Sequence, residues 1–81
     1  YNPVNIYPNP VNDYLTLDFG KNNNLNLSIT IINELGQAVY ENQIIVNDII
    51  DIELNSLPVG TYNLILKSDL WKKSFRFSKL N

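Results

Sequence analysis

Tyr14-Leu15-Thr16-Leu17-Asp18-Phe19 alternates polar and apolar residues. Successive side chains of an extended chain point to opposite faces, so Leu15, Leu17 and Phe19 share one face and Tyr14, Thr16 and Asp18 the other, as in a half-buried β-strand. The same period of two runs through most of the chain. Leu25-Asn26-Leu27-Ser28-Ile29-Thr30-Ile31 repeats it after Gly20-Lys21-Asn22-Asn23-Asn24, a loop whose Gly and Asn tolerate turn dihedrals. Asn33-Glu34-Leu35-Gly36 then reads as a type I turn closed by Gly36 at positive φ, where a Cβ would be strained. It joins the second strand antiparallel to Gln37 through Val46.

Beyond the Asn47-Asp48 turn, Ile50, Ile52 and Leu54 oppose Asp51, Glu53 and Asn55. Leu57-Pro58-Val59-Gly60 interrupts the alternation, and Tyr62, Leu64 and Leu66 resume it to near Lys67. After a short Ser68-Asp69 turn, the last strand runs from Trp71 to Leu80. It sets Trp71, Lys73, Phe75, Phe77 and Lys79 against Lys72, Ser74, Arg76 and Ser78. At the other end, Val4 to Tyr7 is short and Pro-bounded, as edge strands are. No window has a sustained helical period with caps. About seven short strands spaced by 8 to 12 residues predict an all-β chain, an immunoglobulin-like antiparallel β-sandwich, without the Cys-Trp-Cys core of antibody domains.

The 81 residues and 9.3 kDa allow one domain. Surface scaling gives roughly 13,500 Å² for the unfolded chain and roughly 5,000 Å² folded, enough to bury a modest core. Cys and His are absent. That removes thiol nucleophiles, a His general base, Ser-His-Asp triads, His-liganded zinc and iron–sulfur ligation. No cofactor is expected. Met is absent too, and the chain opens Tyr1-Asn2-Pro3, which predicts a segment cut from a larger precursor; if that precursor is exported, its export signal lies upstream. No apolar run approaches the roughly 18 residues of a membrane span.

The formal charge of −2 averages two unlike parts. Residues 1–66 carry seven acids and the single Lys21, net −6; residues 67–81 carry Lys67, Lys72, Lys73, Arg76 and Lys79 against Asp69, net +4. A basic terminal strand on an acidic body can orient a partner or meet an anionic surface. It can also be an edge strand guarded by Lys against sheet-to-sheet pairing.

Other constellations fall short of a site. Asp48, Asp51 and Glu53, even with Asn55, supply too few oxygens for the six to eight around Ca²⁺, and a solvated strand face accounts for them. The chain is too small to place two carboxylates across a sugar-binding cleft. Tyr7, Tyr14, Tyr40, Tyr62 and Trp71 offer faces for sugar stacking, but such residues more often pack in cores or cross-strand pairs. Asn26-Leu27-Ser28 matches a glycosylation acceptor pattern, as an Asn-rich chain does by chance. Leu57-Pro58-Val59-Gly60-Thr61 has the Gly and Thr of a sortase signal in the wrong order. Bases confined to one strand and a pI near 4.7 argue against nucleic acid.

Four features nevertheless recur in a meaningful order. Tyr7-Pro8-Asn9-Pro10 lies near the start, and Gly36 follows a strand and precedes Val39-Tyr40. Leu57-Pro58-Val59-Gly60-Thr61-Tyr62 opens the penultimate strand, and a basic strand with Lys72, Lys73 and Lys79 ends the chain. In this combination the sequence resembles, over essentially its full length, the type A C-terminal sorting domains of type IX secretion substrates of Bacteroidetes. One departure is that Leu80-Asn81 follow the last Lys, whereas many members end at or beside it.

The resemblance implies a non-catalytic address at the end of an exported cargo, folded in the periplasm and read by the outer-membrane translocon and a shuttle β-barrel. It implies removal at the cell surface by a sortase-like Cys protease, with cargo released or joined to anionic lipopolysaccharide. On physical grounds, Pro8 and Pro10 fix φ and withhold N–H donors, Asn9 holds the turn between them, and Gly36 and Gly60 permit turns that side chains would block. Leu57 and Tyr62 pack under the corner. Lys72, Lys73, Arg76 and Lys79, with Phe77 on the same strand, are the expected partner contacts, the strand adding to a sheet edge with charge setting its orientation. The alternative is a carbohydrate-binding or adhesion module of an extracellular enzyme, retained in the mature product and dependent on Trp71. No nucleophile, tuned base and pocket occur together, so no enzymatic activity is expected.

Overall fold

Alternation becomes strand almost everywhere it was read in the computed structural model, which describes residues 4–21 and 24–80. Among the described residues the elements are β1 (Asn5–Tyr7), β2 (Tyr14–Asp18), β3 (Leu25–Ile32), β4 (Ala38–Val46), β5 (Ile49–Glu53), β6 (Gly60–Lys67) and β7 (Lys72–Lys79). They form a three-stranded sheet, β1-β2-β5, and a four-stranded sheet, β4-β3-β6-β7, with every strand pair antiparallel.

The alternating apolar residues meet between the sheets. Leu15, Leu17 and Phe19 bury against Leu27, Ile29 and Ile31 of β3 and Tyr62, Leu64 and Leu66 of β6, with Val11, Ile52, Leu54 and Phe77 filling the remaining volume. The exposed area left, 5197 Å², agrees with the mass scaling. One sheet is a strand narrower than the other, so the inner face of β4 is poorly covered: Tyr40 and Ile44 are half-buried and Asn42 is exposed. The register of β4 against β3 also shifts, from Ile31↔Tyr40 to Ile32↔Ala38, leaving Val39 as the extra residue of a bulge.

The turn after β3 is the expected one. The Gly36 N–H donates to the Asn33 carbonyl at 3.0 Å, and Gly36 sits at φ 83°. The Asn33 side-chain oxygen also accepts the N–H groups of Leu35 and Gln37, both at 2.9 Å. Gly60 departs from expectation. It begins β6 with φ outside the left-handed region, and an added Cβ would touch only the Tyr62 ring, at an ordinary 3.8 Å. Glycine is not required there.

Candidate interaction surface on the terminal strand

β7 is the outermost strand of its sheet, so one row of its backbone groups has no strand beside it. The Pro8-Asn9-Pro10 segment covers half of that row. Asn9 Nδ2 donates to the Arg76 carbonyl at 3.4 Å, and its Oδ1 accepts the Ser78 N–H at 3.1 Å. Val11 continues the contact as a parallel bridge to Lys79: its N–H donates to Ser78 O at 2.8 Å, and its carbonyl accepts Leu80 N–H at 2.7 Å. Asn9 was expected to hold its own turn, but it reaches across the chain instead. Pro8 and Pro10 have no N–H, and a side-chain amide offers the same donor and acceptor as a peptide unit, so Asn9 substitutes for a strand residue. The Tyr7–Pro8 and Asn9–Pro10 bonds are both cis.

The Leu57–Tyr62 corner supports the same strand from its other side. Leu57 is half-buried against the core, and the Tyr62 hydroxyl donates to the Pro58 carbonyl at 2.7 Å, the geometry of a tyrosine corner. The buried Tyr62 ring stacks on Phe77, centroids 5.7 Å apart and planes 23° from parallel.

The residues expected to meet a partner therefore divide between two faces of β7. Phe77 and Lys79 point inward and are 2% and 3% exposed. The Lys79 stem lies in the interior while its ammonium donates to the Leu80 carbonyl at 2.7 Å, an apolar stem with a satisfied polar tip. These two residues secure the strand. Lys73 shares their face and is half-buried. Lys72 and Arg76 lie on the exposed outer face, joined by Lys67 of β6, a base of the same charged end that was not among the expected contacts and that pairs directly with Lys72. The register makes this legible, because Lys67 follows the inward Leu66 by one residue.

Charge is consequently polarised across the thickness of the sandwich. Lys67, Lys72 and Arg76 occupy the outer face of the four-stranded sheet, with Glu41 on the far strand β4. Asp18, Asp51 and Glu53 occupy the outer face of the three-stranded sheet. There Asp51 accepts the Thr16 hydroxyl at 2.6 Å, and Glu53 accepts the Asn55 amide at 3.0 Å. Among the described residues no three carboxylates gather as a metal site would need. Of the aromatic residues considered for sugar stacking, Tyr7 and Tyr14 are exposed, Tyr62 is buried, and Tyr40 and Trp71 pack partly against the core.

The comparisons with known proteins agree with this architecture. A family model described as "Secretion system C-terminal sorting domain" matches residues 5–78. Among curated proteins nothing matches the chain. Among solved structures, the crystal structure of a DUF3244-family protein of Bacteroides vulgatus, with an immunoglobulin-like β-sandwich fold, superposes with a TM-score of 0.81. It is 23% identical, over 98% of this chain and 85% of that one, and shows the fold.

Proposed function

Because the chain belongs to the family of type IX secretion-system C-terminal sorting domains, we propose that it directs an upstream cargo across the outer membrane as a folded, non-catalytic address. Membership in that family makes it a sorting signal of an exported protein that meets the secretion system. Among the described residues no helix is long and apolar enough to cross a membrane. In the proposed route the domain folds in the periplasm, is read by the outer-membrane translocon and a shuttle β-barrel, and is cut off by a sortase-like Cys protease. Cargo is then released or joined to anionic lipopolysaccharide.

The observation that carries this reading is the construction of β7. Its backbone edge is closed from Arg76 to Leu80 by Asn9 and Val11, its inner face is anchored by Phe77 and Lys79, and its outer face presents Lys72 and Arg76. A strand so held offers a fixed charge pattern rather than a free edge, which supports recognition through side chains in place of strand addition over that stretch.

Fusing residues 1–81 behind a signal-peptide-bearing fluorescent protein tests the proposal. Fluorescence should reach the medium or cell surface in cells with a working type IX system, stay in the periplasm without one, and the mature product should lack the domain. Export that is indifferent to the system would refute it. A retained domain that binds polysaccharide would favour the carbohydrate-binding alternative.

A further inference from the structure

We propose that the tip of the β6–β7 hairpin is the docking element of this domain, with Leu70 seating in an apolar pocket of a secretion-machinery protein whose acidic rim engages Lys67 and Lys72. The inference rests on the sorting reading above and specifies the chemistry of the partner.

Leu70 is 90% exposed, the most exposed large apolar side chain among the described residues. Its position is fixed by Ser68, whose N–H donates to the Trp71 carbonyl at 2.9 Å and whose Oγ accepts the N–H groups of Leu70 and Trp71, both at 3.2 Å. Ser68 builds this turn without help from the Leu70 side chain, and turns of this kind ordinarily carry small or polar residues. An apolar side chain held outward on an ordered turn loses little freedom on binding, as an anchor residue should.

The base of the hairpin carries a cost to the fold. Lys67 and Lys72 stand directly opposite each other across β6 and β7. Like charges in that position destabilise a strand pair, whereas a Lys facing a Glu would favour it. Both side chains are exposed, and neither forms an ion pair with a described residue. An apolar anchor beside two uncompensated cations complements a pocket with carboxylates at its mouth. The opposite turn differs: Leu35 is 82% exposed there and follows Glu34 as Leu70 follows Asp69, but no base flanks it.

A protein pocket fits this tip better than an anionic bilayer does. Asp69 lies between the two lysines and beside Leu70. A pocket can place its carboxylates against the lysines and leave Asp69 in water, whereas a uniformly anionic surface repels it. That surface would also repel the net −6 of residues 1–66.

The reporter fusion described above, carrying Leu70→Ser, Lys67→Glu or Lys72→Glu, tests the inference alongside thermal melts of the purified 81-residue chains. Truncating an anchor or reversing a rim charge should weaken docking about tenfold or more and reduce export accordingly. Leu70→Ser should melt as the parent does, and Lys72→Glu as high or higher, because a Glu opposite Lys67 removes the repulsion. Loss of export without loss of stability is the expected signature.

Parental export of Leu70→Ser overturns the anchor, and parental export of both charge reversals overturns the rim. Cosedimentation with phosphatidylglycerol–phosphatidylcholine vesicles that is abolished by Leu70→Ser would assign the tip to lipid and overturn the protein pocket. If the parent fusion is not exported through the type IX system, the sorting reading fails and this inference falls with it. If only the variants fail while melting no lower than the parent does, both stand; variants that fail and also melt lower overturn the docking role.

Discussion

Between two prolines that have no N–H to donate, Asn9 supplies a donor and an acceptor to the backbone of β7, 67 and 69 residues away in sequence. Asn9→Ala removes both bonds, which are exposed and together worth about 1 kcal/mol, so the chain should melt roughly 4–8 °C lower. An unchanged melting temperature would show that Val11 alone seats the segment. The glycines make a paired test. Gly36→Ala forces a Cβ into φ 83° and should destabilise by about 1 kcal/mol, whereas Gly60→Ala, in extended backbone with room for a methyl, should be neutral or stabilise by about 0.4–1 kcal/mol. Equal losses in urea melts would contradict that distinction. The Gly36 requirement was legible because a four-residue turn carries its own signature. The reach of Asn9 was not, since local sequence does not show which distant carbonyl a side chain meets.

In β7 the alternation placed each side chain on its face before any pairing was known, with Lys79 on the same side as Phe77. Its charge marked Lys79 as a partner contact despite that parity, and the structure buries it beside Phe77. Strand order was not legible. Period two assigns faces, but it does not say that β3 lies between β4 and β6, nor that Val11 runs parallel to the end of β7. This bears on truncation experiments. Deleting Ser78–Asn81 removes one of the two partners of Asn9 and both of those of Val11 together with Lys79, opening the sheet where residues 9–11 join it. The shortened chain should lose cooperative unfolding or melt at least several degrees lower. If it melts like the full chain, those bonds do not hold the fold. Loss of export on such a truncation would then report folding, and substitutions at exposed positions such as Leu70, Lys67 and Lys72 are the ones that separate recognition from stability.

Across the whole molecule, a domain of this length has about 4–12 kcal/mol of stability, from roughly 0.05–0.15 kcal/mol per residue. Leu64 is fully buried at the centre of the four-stranded sheet, and Leu64→Ala should cost about 2–5 kcal/mol. That is a large fraction of the total, visible as a marked fall in the urea midpoint; a shift below about 1 kcal/mol would mean the core closes around the void. The sequence showed an acidic body and a basic end. Folding turns that division along the chain into one between opposite faces, which only the register of strands far apart in sequence could reveal.

The bonds from Asn9 and Val11 to residues 76–80 have a consequence for synthesis. The ribosome releases residue 9 early and residue 80 near the end of this chain, and the edge of β7 cannot close until both are present. A chain interrupted before β7 lacks that strand, the ring that stacks on Tyr62 and the partners of the entry segment all at once. Closure of this edge is therefore among the last steps of folding, and a product that stops short of β7 lacks the strand on which residues 9–11 settle.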